Sequence, residues 1–408
     1  MRRLLQDIKD GVTRHLRSRL FVLCFSLLLP WLGHAEPLVV TNADDNGPGT
    51  LRQAIMDAPD GGTITFAVSG IIFPTSEITI NKNLTITGPG ANTLVVYGNG
   101  DDRVFNITNP AITVTISGLN VGGGSPGAAG ADGGAIYNAA TLNLIACSIS
   151  NSYSGYLGGT NGGRGGGIFN SGTLSLTACT VSDNSSGNGT VKGGDGGGIF
   201  NSGDLTLINC TITRNGTGDG QSDRGGQGGG ISSPGSLTMI ACTVTANTCG
   251  SGQIAAPSGG GIFAGGSAKI WNSIIASNTV SALGTGLDVS GNFNSLGHNL
   301  IGSTNGSSGF GVSGDLTGTI LSPLFPFLGS FTNNGGPTLS CVLLTGSPAI
   351  DAGDDSIMSS PYTITRDQCG QRRKWGAQVD IGAFEVAPVL TLPPHGRDFD
   401  QCCFARQS

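Results

Sequence analysis

The sequence predicts an all-β solenoid, a parallel β-helix with three short strands per coil, and three observations carry the prediction. The first is a motif read five times: GGAIYN at 133–138, GGGIFN at 165–170 and 196–201, GGGISS at 228–233 and GGGIFA at 259–264. Its isoleucines, Ile136, Ile168, Ile199, Ile231 and Ile262, recur every 31 or 32 residues, and a fixed period of that length marks a stacked repeat. The second is that Cys147, Cys179, Cys210, Cys242 and finally Ser273 each stand eleven residues after one of those isoleucines, so the segment between is copied without insertion. The third is the inner spacing. In LTLINCTIT the apolar residues Leu205, Leu207, Cys210 and Ile212 step by two, three and two, as do Leu174, Leu176, Cys179 and Val181. Steps of two are strands, and the step of three marks a corner where the inward face is reset. Richness in Thr, Ile and Val argues against helix. Each repeat is therefore one coil, stacked about 4.8 Å from the next.

Taken in order, residues 1–35 read as a secretory signal peptide. Met1 to Arg19 carries six Arg or Lys, Leu20 to Leu32 is an apolar run broken only by Ser26 and Pro30, and Gly33-His34-Ala35 offers a small-residue cleavage site. Residues 36–70 read as an N-terminal cap, because a solenoid must cover its first apolar layer. Leu51, Ala54, Ile55 and Ala58 there have helical spacing, with Thr50 as N-cap and Gly61-Gly62 as the stop. Residues 71–330 form the β-helix, regular between 133 and 280, in nine or ten coils about 45 Å long. Residues 331–386 read as a C-terminal cap and 387–408 as a disordered tail. No segment after the signal is long and apolar enough to cross a bilayer as a helix.

Composition narrows the functional classes. Glycine supplies 71 of 408 residues without a collagen period, and charged residues are 11% against about 25% in an ordinary soluble protein. Removing the six basic and two acidic residues of the signal leaves a net charge of −10, which argues against nucleic acid as a partner. The four periodic cysteines would lie on one inward line with parallel Cβ vectors, a geometry that resists disulfides and cannot surround a metal. They read as a buried thiol stack. Asn184, Asn215, Asn247 and Asn278, each five residues after the Cys or Ser, read as a ladder of stacked turn amides.

The GGAI or GGGI repeat followed by a Cys-Thr-Val-Ser-x-x-Asn turn resembles the repeat of polymorphic outer-membrane proteins. NGPGTLRQAI near the start, DVSGNFNSLGHNLIG at 288–302, and NNGGPTLSCVLLTGSPAIDAGD through VDIGAFE at 333–385 resemble bacterial surface proteins of the choice-of-anchor Q type. The resemblance covers nearly the whole mature chain. It implies an exported right-handed β-helix related in fold to pectin and pectate lyases, and it implies no reaction. After Glu385 the tail has no apolar helix and no recognisable anchor.

No catalytic constellation is legible. Only His298 and His395 follow the signal, and neither has a nucleophile in a recognised setting. A lyase would need a base beside carboxylates holding calcium against an acidic sugar. Calcium is therefore the one metal considered, and no motif supports it; no cofactor is expected. Function, if the rod binds a ligand, should lie where the copies differ, in the Gly-rich loops between the Asn turn and the next Gly triplet. These loops carry Asp132, Tyr153, Tyr156, Arg164, Lys192, Asp195, Asp219, Asp223 and Arg224. Tyr153, Tyr156, Arg164, Asp195, Asp223 and Arg224 are the candidate binding residues, since tyrosines beside polar groups suit sugar faces. Arg366, Asp367, Arg372, Arg373, Lys374, Asp380 and Glu385 read as an ion-paired cap over the last coil, with an acidic-glycan site as the sharper alternative. Cys341 and Cys369 could be bonded there, and the pairing of these two with Cys402 and Cys403 stays open. The expectation is an exported, non-catalytic protein at the cell surface, outer membrane or outside the cell, contacting polysaccharide, envelope or another cell. A pectate-lyase-like enzyme and a purely structural rod are the alternatives.

Overall fold

A computed structural model describes residues 36–155, 159–281 and 284–387. The expected signal, Tyr156 and residues 388–408 lie outside the described residues. Each sequence period delivers one strand to each of three parallel sheets. In one coil these are Ile168–Asn170 in sheet C, Thr173–Thr177 in sheet A and Thr180–Ser182 in sheet B. Among the described residues sheets A, B and C hold ten, ten and nine strands, ordered as the coils follow one another. Ile168 pairs with Ile199, Leu174 with Leu205 and Val181 with Ile212, so every inward side chain lies on its own equivalent. Ile168, Leu174, Leu176, Cys179 and Val181 are all fully buried. The chain is a parallel β-helix.

The rod extends beyond residue 71 towards the N-terminus. Leu38–Val40 pairs with Gly62–Phe66, which pairs in turn with Leu84–Thr87, so the segment assigned to the cap also supplies the first rungs of sheet A. Between those strands runs helix α1, Leu51–Asp57, whose first turn is capped by Thr50 Oγ1 accepting the Gln53 N–H. Leu51, Ala54 and Ile55 face inward and cover the first layer. The last rung of sheet B is Leu316–Thr317. Among the described residues no helix is long and apolar enough to cross a membrane.

Single left-handed residues make the corners. From sheet A to sheet B the turn falls on Ala146, Ala178, Asn209, Ala241 and Asn272, one residue before the Cys or Ser. Where sheet B ends it falls on Asn151, Asp183, Arg214, Ala246 and Ser277. The left-handed turn falls on the residue before each ladder asparagine, and the amide is free to bond. Asn184 Nδ2 donates to Asn215 Oδ1 (3.0 Å), Asn215 to Asn247 (2.9 Å), Asn247 to Asn278 (2.9 Å) and Asn278 to Asp288 (2.9 Å). A second ladder, not anticipated, joins Asn138, Asn170, Asn201 and Ser233 between sheets C and A, at 2.7, 2.7 and 2.9 Å. The Gly triplet is needed for room as well as for backbone freedom. Gly165 has φ +66°, and a Cβ on Gly166 would stand 2.3 Å from the Ser185 carbonyl carbon.

Cys147, Cys179, Cys210 and Cys242 are free and buried in the core. Burial holds the Cys179 and Cys210 thiols well above the ordinary range. Cys341 and Cys369 are also free. Ser340 Oγ lies 3.4 Å from Cys369 Sγ, and alternation along the strand Ser340–Leu343 turns Cys341 to the opposite side.

The C-terminal region does not close the end of the rod. It folds back along the side as a strap. Gln368 Nε2 donates to the Cys179 carbonyl (3.2 Å), Thr211 Oγ1 donates to Gln368 Oε1 (2.6 Å), the Ala383 N–H to Thr243 Oγ1 (3.1 Å) and the Gly382 N–H to the Asn272 carbonyl (2.8 Å). The reason is a row of outward side chains on sheet A, Ile145, Thr177, Ile208, Ile240 and Trp271, which turns apolar from Ile208 onward. Ile357, Ile364 and Val379 of the strap pack over that part of the row, whereas Ile145 stays 44% exposed.

Two outcomes test this architecture. Alkylation under denaturing, non-reducing conditions should label all four core cysteines, and recovery of a Cys179–Cys210 linked peptide would refute the thiol stack. Asn215 Nδ2 also serves the Val181 and Thr213 carbonyls, so Asn215→Ala strands several buried groups. It should lower unfolding stability by about 3 kcal/mol in urea titrations.

Candidate functional site

The loops joining sheet B to the next sheet C strand are themselves stacked. Tyr153, Ser185, Gly216, Thr248 and Thr279 form successive parallel bridges. Three of the loops are pinned by a hydroxyl, Ser154 to the Gly163 carbonyl (2.6 Å), Ser186 to Gly194 (2.6 Å) and Thr217 to Gly226 (2.8 Å), and the next by the Cys249 thiol on the Ser258 carbonyl (3.6 Å). These loops differ in sequence, yet they share one trace held by glycine contacts. Two clefts open in this layer, one where the loops end and one where they begin.

The first cleft, of ≈ 350 Å³, is lined by Asp132, Asn161, Arg164, Lys192, Asp195 and Arg224 together with glycines. Arg164 forks onto Asp132 (Nη2–Oδ2 2.7 Å, Nε–Oδ1 3.1 Å), and Arg224 forks onto Asp195 (2.6 and 3.0 Å). Lys192 reaches Asp223 at 3.6 Å. The structure thus brings Arg164, Asp195 and Arg224 together, with Asp223 at their flank, and leaves them mutually neutralised. Arg164 further lies over the rings of Phe169 (4.9 Å) and Phe200 (4.5 Å), which stack with Tyr137 on the outer face of sheet C. Sequence reasoning missed that stack, although its signal is the middle letter of the repeated IYN and IFN motif. A calcium site does not fit. Both oxygens of Asp132 and of Asp195 are taken by arginine, and among the described residues no three His, Cys, Asp or Glu side chains converge to hold a metal.

The second cleft is a groove of ≈ 590 Å³ that includes Tyr97, Asn99, Ser125, Asn151, Tyr153 and Asn188 in its lining. Tyr153 is 52% exposed and Tyr97 37%. Tyr97 lies against Gly123, where a Cβ would stand 2.3 Å from the ring, so glycine there makes the seat for the tyrosine. Phe73, exposed, meets Tyr97 edge to face at 6.0 Å. Neither Phe73 nor Tyr97 was singled out from sequence, since both precede the regular repeats. Tyr153 and Arg164, expected in one site, stand in separate clefts. Tyr156 lies outside the described residues.

The basic and acidic residues of the C-terminal strap form no open site. Arg373 is fully buried, donating from Nη2 to the Asp380 and Gly382 carbonyls, and its Nε and Nη1 find no partner among the described residues. The expected ion pairing is corrected for its acidic members. Asp367, Asp380 and Glu385 are buried and accept backbone N–H groups of Glu385, Val386 and Asp380 respectively, while Lys374 pairs with Asp355. Burial pushes the Glu385 carboxyl up to about 8 and that of Asp288, which ends the Asn ladder, up to about 6.

No protein-family model matches the chain. Over 67 residues it is 40% identical to a protein named probable pectate lyase C from Aspergillus flavus and 43% identical to its namesake from Aspergillus terreus. The matched segment is 16% of this chain and 16% of each relative, so the chain matches about a sixth of their length. Among solved structures it is similar to pectate lyase Pel9A, at 14% identity and a TM-score of 0.39 over 86% of this chain and 96% of that one. It is also similar to the Dettilon tailspike protein, at 14% identity and a TM-score of 0.26 over 72% of each. At these scores the likeness adds nothing to the architecture that the strand pairing itself shows.

The buried carboxyls predict a pH dependence. Glu385 has a folded pKa above its ordinary value of 4.5, so the folded state holds a proton that the unfolded state releases. Its contribution is complete below pH 4.5 and is lost as pH rises towards about 8. Thermal melts across that window should show declining stability, and Glu385→Gln should flatten the decline.

Proposed function

We propose that this protein is exported, stands at a bacterial cell surface or outside the cell, and holds polysaccharide without cleaving it. The observation that carries this reading is the groove beside Tyr97 and Tyr153. It offers exposed aromatic rings, amides and hydroxyls, the groups that recognise sugar faces and sugar hydroxyls, and among the described residues its lining has no carboxylate or basic side chain to act as general acid or base. The basic start of the chain followed by an apolar run supports export. The repeats and the 333–385 motif, similar to those of surface proteins, support a place outside the cytoplasm.

A second reading, a lyase acting on acidic polysaccharide, is favoured by the 67-residue similarity to proteins named for pectate lyase activity. Against it stands the charged cleft, whose carboxylates are each occupied by an arginine.

The experiment is a panel of acidic and neutral polysaccharides offered to the mature chain. Binding is read by affinity electrophoresis, and cleavage by new reducing ends and by uronate unsaturation. The expected result is retention without product. Tyr153→Ala should weaken retention about tenfold, or about 1.4 kcal/mol, with an unchanged melting temperature. Release of unsaturated uronates would establish the lyase reading, and retention by no member of the panel would leave a structural rod.

A further inference from the structure

The groove beside Tyr97 and Tyr153 is uncharged. Among the described residues no Lys, Arg, His, Asp or Glu lines it. The residues that follow the lining Asn99 and Gly100 are acidic: Asn99 Oδ1 accepts the N–H groups of both Asp101 and Asp102, and Asp101 is exposed. The cations of the neighbouring coils are spent elsewhere: Arg103 on Glu77 and Lys192 on Asp223. A uronate entering here would lose part of the water around its carboxylate with no cation to receive it, which weakens its binding. A neutral pyranose incurs no such cost.

The direction of the groove follows from the coils that line it. Its walls come from four successive coils, at 97–100, 123–125, 151–154 and 185–188, so it runs along the rod axis. At about 4.8 Å per coil the four levels span about 15 Å. Tyr97 lies against Gly123 from the coil before, and the Tyr153 N–H reaches the Gly124 carbonyl from the coil after (2.8 Å). The backbones that carry the two tyrosines are therefore two coils apart, about 10 Å, with the Tyr97 ring leaning onto the coil between them. A pyranose unit advances roughly 5 Å along its chain, close to the rise of one coil.

We infer that the groove takes a neutral glycan laid parallel to the rod axis, one sugar to a coil, with Tyr97 and Tyr153 meeting different sugars of the same chain. This rests on the reading of the protein as a polysaccharide binder and adds the class and direction of the chain it holds. Phe73, edge-on to Tyr97, extends the aromatic track one coil further towards the N-terminal end.

The test is calorimetric titration of the mature chain with β-1,4-linked gluco-, xylo- and manno-oligosaccharides of one to six units, beside oligogalacturonates of the same lengths. Affinity for at least one neutral series should rise up to four sugars and then level off. The oligogalacturonates should bind at least tenfold more weakly, and Asp101→Asn with Asp102→Asn should narrow that gap. Tyr97→Ala and Tyr153→Ala should each cost at least tenfold with unchanged melting temperature. Equal or tighter binding of oligogalacturonates would overturn the neutral class while leaving carbohydrate binding intact. An affinity already complete with one or two sugars would overturn the axial placement. Binding of neither series would overturn the underlying reading itself.

Discussion

Everything in this protein depends on one constraint, that each coil must lie in register on the one before. In a parallel ladder about 4.8 Å deep, the backbone N–H and C=O groups of one coil are satisfied by its neighbours. A one-residue slip would turn every inward side chain outward. The offset of 31 or 32 residues therefore recurs in all three sheets, with Ile168 on Ile199, Leu174 on Leu205 and Val181 on Ile212. Side chains that cannot be apolar at the corners obey the same rule. The Asn184 and Asn138 ladders are amide groups using the coil repeat as their own hydrogen-bond period.

The same constraint reaches the loops. Glycines at 155, 163, 187, 194, 218 and 226 bring backbone against backbone, and a Cβ on any of them would fall within about 2 Å of a neighbouring carbonyl oxygen. Their number is a packing requirement rather than a sign of a loose chain. Charges on this layer are organised coil to coil as well, Arg164 on Asp132 and Arg224 on Asp195, so the most charged part of the loops is internally neutral and stiff. The open, uncharged surface lies at the other end of the loops, where the tyrosines stand. Exposed aromatic rings are thus set on a scaffold that repeats about every 4.8 Å along its axis.

The strap shows a local cost of repetition. A solenoid's outer faces need polar side chains, and the row from Ile208 through Ile240 to Trp271 departs from that need. Ile357, Ile364 and Val379 cover it, and the strap's own turns then bury Asp367, Asp380, Glu385 and Arg373. Burial pushes all three of these carboxyls above their ordinary range, Glu385 the furthest, to about 8.

What the sequence by itself determined is everything that repeats. Ile168, Leu174, Leu176, Cys179 and Val181 face inward because strand alternation leaves them no other side, and the Cys and Asn rows follow because equal spacing in sequence becomes vertical alignment once coils stack. Thr50 and the helix behind it were legible from local capping chemistry. Only the tertiary structure decided what does not repeat. Tyr97 precedes the regular coils and reaches Tyr153 only because two coils of stacking bring them to one groove, while Arg164, near Tyr153 in the chain, is carried to the far end of the same loop. Gln368 meets Cys179 and Thr211 across more than 150 residues through a strap that no period announces. Periodicity encodes neighbours one coil apart, and it carries no information about which irregular segment folds back over which row.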